Sequence, residues 1–327
     1  MDTNWRPKCS IEALHFRAGL LRDTRRFFEE RSVLEVMTPV LSRSTVSDPH
    51  IESFRTESEG ELLYLQTSPE FFMKRLLAAG APGIYQIAPA FRQSEVGRHH
   101  NHEFTMLEWY RPDFELAELM REVSQLIDLL IGPGKCSYLS VEQMFQEAFS
   151  VNPHIASRKE LLGALESYHA EDESALLAEA HQSTFLENLD DAALFDLMFS
   201  MAQQKLPERV FLVDFPVRHA ALAKVERNAL GTEVARRFEL IVKGVEIANG
   251  YLELLDPVEL ERRMVEDTGH RADAKKHLPL PDSRLLAAMR YGLPACSGVA
   301  VGLDRVVMLA MGVDSLAEVL PFTFQNC

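Results

Sequence analysis

The chain has 327 residues, 46% of them hydrophobic and 25% charged, which suits a globular fold with a sizeable buried core. Its formal net charge of −15 sets it against extended nucleic-acid contact, which needs a basic face to meet phosphates, so no stable nucleic-acid binding is expected. No apolar run matches a membrane span or a signal peptide, which excludes a membrane role and points to a cytoplasmic protein. The cysteines Cys9, Cys136, Cys296 and Cys327 lie far apart, which fits a reducing compartment without structural zinc.

Residues 11–31 place Leu14, Leu20, Leu21, Phe27 and Phe28 near helical spacing, with Arg22, Arg25, Arg26 and Glu29 between them. That pattern predicts an amphipathic helix. A short strand over Val33–Val36 follows and ends at Thr38-Pro39, because proline cannot continue a ladder. Ser68 to Ala79 reads as a second helix, capped by Ser68, with Pro69 in its first position and Glu70 at its positive end. Tyr85–Phe91 and Glu103–Tyr110 read as the arms of an antiparallel hairpin, with Gln93–Thr105 holding its turn. From about 115 to 205 the chain is polar and helix-rich, with an acidic run at Glu171-Asp172-Glu173, and reads as a helical insertion between core strands. Val210–Pro216 is a strand. Lys243-Gly244 between β-formers signals a two-residue hairpin turn, with Asn249-Gly250 breaking the returning strand and re-aiming Glu253. The small-residue strand Gly298–Gly302 runs into a helix over Val306–Met311.

The charged residues in this frame suggest chemistry. Arg92 ends a strand, where a guanidinium can be held rigidly against a phosphate, and Arg98, His99 and His100 occupy the turn. Phe104 follows as either a core residue or a platform for a base. Glu239 and Glu246 share a face if Lys243-Gly244 is the turn. Such a pair is either a solvent face or a magnesium site, since hard cations take carboxylate oxygens together with substrate phosphates. Glu108 and Tyr110 point to one side and with Glu253 would enclose an ammonium, unless Glu108 pairs with a structural arginine. Glycines at 298 and 302 let a ligand approach the backbone, and Arg305 at the helix start reaches a phosphate or an aromatic ring.

The segments RHHNHEFTMLEWY, KGVEIANGYLEL and GVAVGLDR, in that order, resemble the catalytic domain of lysyl-tRNA synthetase, a class II aminoacyl-tRNA synthetase. The resemblance runs from about residue 15 to the C-terminus and implies an α+β fold with an antiparallel sheet flanked by helices. It also implies a homodimer formed through the first helix and strand, and ATP and Mg²⁺ as cofactors. By position, Arg92 and Arg305 would be the catalytic arginines, Arg92 on the α-phosphate and Arg305 with Phe104 around adenine. Gln93, Ser94, Glu95, Arg98, His100, Asn101, Ile247 and Gly302 would line the nucleotide, and Glu239 and Glu246 would hold the metal. Ser68, Pro69 and Glu70 would face the substrate amine nearest the carboxylate, and Glu108, Tyr110, Asn249 and Glu253 its distal ammonium.

Fewer than twenty residues precede the first core helix, which leaves no room for an anticodon-binding barrel. With the acidic balance, this resembles the truncated paralogues that act on translation elongation factor P. A single catalytic domain using β-lysine or lysine is therefore expected, with Ala300 in place of a glycine disfavouring α-lysine. A minimal lysyl-tRNA synthetase working on the acceptor stem is the alternative, and a non-catalytic subunit a third. One departure is local: the usual adenine-reading glutamate position holds Ser94, followed by Glu95.

Overall fold

The helix Ile11–Glu29 starts at Ser10, whose hydroxyl accepts from Ala13 N at 3.1 Å, and it buries Ala13, Leu20, Thr24, Phe27 and Phe28 along one stripe. A computed structural model of the chain describes residues 5–93, 95–169, 186 and 189–327. These fall into two compact units, one of residues up to Gly134 together with Ile247–Cys327, the other Lys135–Glu246. The fold is α+β, with mostly antiparallel sheet flanked by helices.

In chain order the strands are β1 (Leu34–Glu35), β2 (Leu41–Ser42), β3 (Arg55–Ser58), β4 (Glu61–Leu65), β5 (Ile84–Phe91), β6 (Glu103–Pro112), β7 (Ser137–Ser140), β8 (Arg209–Pro216), β9 (Val225–Arg227), β10 (Glu233–Val242), β11 (Val245–Leu252) and β12 (Cys296–Gly302). In the first unit the order is β1-β5-β6-β12-β11, with only β1–β5 parallel, and β2-β4-β3 forms a separate small sheet. Leu107 lies opposite Ile87 and Val301, and Trp109 opposite Tyr85 and Val299, so these residues share one face of the sheet. There Phe28 stacks on Tyr85 at 4.4 Å and meets Trp109 edge-on at 5.2 Å. Trp109 also donates to Glu122 on helix Leu116–Ile131 at 3.0 Å. That helix, expected within the insertion, belongs to the first unit and begins with a Glu115–Glu118 capping box.

The second unit pairs β10 with β8 and β9, and β8 with β7, around helices Val141–Phe149, Arg158–His169 and Asp191–Gln203. The acidic run 171–173 lies outside the described residues. Lys243 and Gly244 have φ of 50° and 74°, the two positive values a tight β-turn of the primed type requires. The anticipated break at Asn249-Gly250 is absent: β11 runs through both, because Gly250 pairs with Val299 and the ladder continues to Leu252. Helix Glu70–Ala78 starts one residue later than expected. Pro69 is its cap, although Ser68 Oγ still accepts from Glu70 N at 3.4 Å. Helix Leu303–Met311 starts three residues earlier than its sequence pattern suggested.

Candidate active site

The other face of the first unit's sheet carries the predicted site residues. Register aligns Gln86, Glu108, Ala300 and Asn249 in one row, and Ile84, Tyr110, Gly298 and Tyr251 in the next. Phe104 and Met106 continue that face along β6, with Gly302 opposite Met106. Plain strand alternation therefore brings Glu253 to the side of Asn249 and Tyr251, and its amide donates to Cys296 O at 3.0 Å. Large side chains on β6 face small ones on β12, which leaves room above Ala300 and Gly302. Gly298 serves a different purpose: a Cβ there would collide with the Tyr110 ring and lie 2.5 Å from Glu253 Oε1. Its missing side chain is what lets ring and carboxylate converge.

One residue of this pocket had escaped sequence reasoning. Lys74, buried to 3%, places Nζ 2.6 Å from Glu70 Oε1 and 2.6 Å from Glu253 Oε2. Its signal was available, since a lysine four residues after Glu70 shares that helical face. Tyr110 donates to Glu108 Oε1 at 2.7 Å. Glu108 Oε2, Glu253 Oε1 and Asn249 Oδ1 are buried with no hydrogen-bond donor among the described residues. Three carboxylates thus face a single ammonium. Burial foremost, then Glu70, pushes Glu108 well above the usual carboxylate range, against the pull of Tyr110's hydroxyl. Burial also lifts Glu253 to about 7, opposed by Lys74 and aided by Glu70. Burial alone would lower Lys74, but Glu253 and Glu70 outweigh it and hold the ammonium charged. A buried cluster with this excess of negative charge is built to receive cations.

At the other end of the face stand the arginines. The hairpin ladder closes at Phe91–Glu103, and Arg92 N donates to His102 O at 2.9 Å, so the turn spans 92–102 rather than 93–105. Gln93 N donates to Glu52 O at 2.8 Å. The Arg92 guanidinium lies 5.3 Å from the Phe104 ring centre and 3.4 Å from Glu95 Oε1, and its buried Nε has no hydrogen-bond partner among the described residues. Glu95 is thus engaged with Arg92; Ser94 lies outside the described residues. Arg98 bonds Asp314 O at 2.7 Å and its carboxylate at 2.9 Å, which ties the turn to the C-terminal segment. Asn101 is turned inward, donating to Glu103 O and accepting from Phe324 N. Arg305 bonds His99 O at 3.2 Å and His100 Nε2 at 2.8 Å. Asp304, a second residue not singled out from sequence, is 2% exposed. It accepts from Thr105 N at 2.7 Å and pairs with Arg17 at 2.5 Å, fixing the Arg305 helix to the start of β6. Ile247 precedes Asn249 by two residues on β11.

In the second unit Glu239 is bridged by Arg237 Nη2 at 2.6 Å. Burial raises Glu239 to about 8, with Arg237 opposing and Glu246 and Asp196 adding repulsion. Oxygen donors that repel one another suit a hard divalent cation. Among the described residues no group of three or more His, Cys, Asp or Glu side chains could hold a metal ion.

A mostly antiparallel sheet with an arginine hairpin, a glutamate-lined face and a glycine-containing strand before an arginine fits the class II synthetase fold. Residues 3–326 match the family model of class II tRNA synthetases (D, K and N), and the chain belongs to that family. Among curated proteins, it is 42% identical to the elongation factor P–(R)-β-lysine ligase of Vibrio vulnificus (strain YJ016), over 99% of each chain. It is 41% identical to the ligase of the same name from Salmonella paratyphi B, over 98% of this chain and 97% of that one.

Proposed function

We propose that this protein activates (R)-β-lysine, or lysine, with ATP and transfers it to a lysine ε-amine of translation elongation factor P. The observation that carries the reading is the pocket in which Glu70, Glu108 and Glu253 surround Lys74, with Glu108 Oε2, Glu253 Oε1 and Asn249 Oδ1 lacking donors among the described residues. Two uncompensated negative charges match the two ammonium groups of a diamino acid. The near-full-length similarity to ligases of that name supplies the acceptor.

In the first step the substrate carboxylate attacks the α-phosphorus of ATP in line, and the bond to pyrophosphate breaks, leaving an aminoacyl adenylate. Arg92 meets the α-phosphate and stabilises charge on its oxygens, while Phe104 and Arg305 enclose adenine. Gln93, Glu95, Arg98, His100, Ile247 and Gly302 line the nucleotide, while Asn101 braces the turn from behind. Glu239 and Glu246 would hold Mg²⁺, which when bound supplies positive charge to phosphate oxygens. In the second step the acceptor amine attacks the adenylate carbonyl, forming an amide and releasing AMP and a proton to solvent. Ser68, Pro69 and Glu70 face the amine nearer the carboxylate, and Glu108, Tyr110, Asn249 and Glu253 the distal one. The Ala300 methyl, in the row between Glu108 and Asn249, narrows the floor and favours the β-isomer. The protein works in the cytoplasm as a homodimer.

Incubation with ATP, Mg²⁺ and β-lysine, beside elongation factor P in one vessel and tRNA in another, tests this by product mass. Elongation factor P heavier by one β-lysyl group is expected. Charged tRNA with unmodified factor would instead establish the synthetase reading.

A further inference from the structure

Lys74 has no part in the adenylate chemistry, yet it is buried at the centre of the amino-acid pocket. A solvent-exposed pair at helical i,i+4 spacing contributes little and leaves both side chains mobile. Lys74 and Glu70 form such a pair, but at 3% and 14% side-chain exposure, and Lys74 is also held by Glu253 from the end of another element. Both carboxylates lie 2.6 Å from the same nitrogen, so the two oxygens can be no farther apart than twice that distance. Without a cation between them they would repel and separate. Gly298 closes off the other direction, since its open Cα is where the Tyr110 ring and Glu253 Oε1 meet. Glu253 therefore has one position, set by Lys74 on one oxygen and by the Tyr110–Gly298 wall on the other.

We propose that Lys74 is a fixed spacer: by pairing with Glu70 and Glu253 at once, it sets the gap between the two ammonium-binding carboxylates and hence the chain length of diamino acid the site accepts. The inference rests on the substrate reading above and names a positioning residue within it. The free oxygen of Glu253 and Glu108 Oε2 meet the distal ammonium, while Glu70 meets the nearer one. Lys74 touches neither. It acts through the carboxylates, and a substrate one methylene too short or too long misses one of them.

The test is amino-acid-dependent ATP–pyrophosphate exchange with ornithine, lysine, homolysine and β-lysine, for the full-length protein and for Lys74→Met and Lys74→Arg. In Lys74→Met the discrimination between the best substrate and its neighbour one methylene away is expected to fall about ten-fold or more, through KM, with the KM for ATP unchanged. Lys74→Arg retains the charge, keeps discriminating by chain length and moves the preference toward the longer homologue, because the wider guanidinium holds the carboxylates farther apart. It also carries the test if Lys74→Met does not fold, which its melting curve reports. An equal loss for every chain length in both variants overturns the spacer and leaves Lys74 a structural strap. Failure of the unaltered protein to activate any diamino acid would instead overturn the substrate reading itself.

Discussion

Glu253 is buried beside one ammonium and near two other carboxyl groups, and its ionisation must respond when a cation enters. Its folded value of about 7 stands above the ordinary 4.5, so the fold favours the protonated form. Stability from this group is therefore lost as pH rises from about 4.5 to about 7, and the full penalty applies above that. Glu108 has the same sign, and Glu70, Lys74 and Tyr110 face both. A bound diamino acid would restore the ionised form. We expect its binding to release protons at about pH 6, where Glu253 is largely protonated in the empty site, and affinity to climb as pH rises toward about 7. Calorimetry in buffers of different ionisation enthalpy measures this, and a proton count of zero at pH 6 contradicts it. Arg92 makes the complementary case, since its guanidinium is held by Phe104 and Glu95. Arg92→Ala is expected to slow pyrophosphate exchange about 10²–10³-fold, as loss of one electrostatic donor does; near-normal exchange would remove Arg92 from the α-phosphate.

Elements are locked to one another by buried polar groups that sequence patterns do not advertise. Asp304 joins the first turn of helix Leu303–Met311 to Thr105 N on β6 and to Arg17 on the first helix. Arg305, the next residue, inherits its position from that joint. Asp304→Ala leaves Arg17 without its carboxylate, with only Thr105 Oγ1 still accepting from it, and Thr105 N without an acceptor, and is expected to cost about 3–5 kcal/mol of stability. Urea denaturation measures that loss, and a raised KM for ATP should accompany it. A change below about 1 kcal/mol, the level of a surface pair, would show that the joint is dispensable. Helix starts were read less closely: Pro69 rather than Ser68 caps one helix, and the last begins at Leu303 rather than Val306. Ser10, Asp256 and Asp282 cap their helices by accepting from backbone N–H groups of the first turn.

Each unit has its own core. In the second, Phe145 is fully buried and stacks on Phe195 at 5.0 Å, amid Leu161, Leu165, Met198 and Leu212. Phe145→Ala is expected to cost about 3–5 kcal/mol through lost burial and a residual cavity. A denaturant midpoint unchanged from the parent protein would rule this out. Among the described residues no helix is long and apolar enough to cross a membrane. The net charge of −15 gives no electrostatic help to a polyanionic partner, in keeping with a protein acceptor.

What the amino-acid order determined by itself is everything set by short-range rules. Alternation placed Glu108, Tyr110 and Phe104 on one face of β6, and Lys243-Gly244 fixed a turn whose conformation needs two positive φ values. The spaced arginine, glutamate and glycine segments were enough to define the family. Tertiary structure decided the rest. Lys74 and Glu253 are far apart in the chain, and only helix-to-sheet packing brings them to 2.6 Å. Gly298 looked like room for a ligand, but across the strands it is room for Tyr110 and Glu253. The ionisation of buried carboxyls depends on what surrounds them in space, and no spacing in a sequence carries that information.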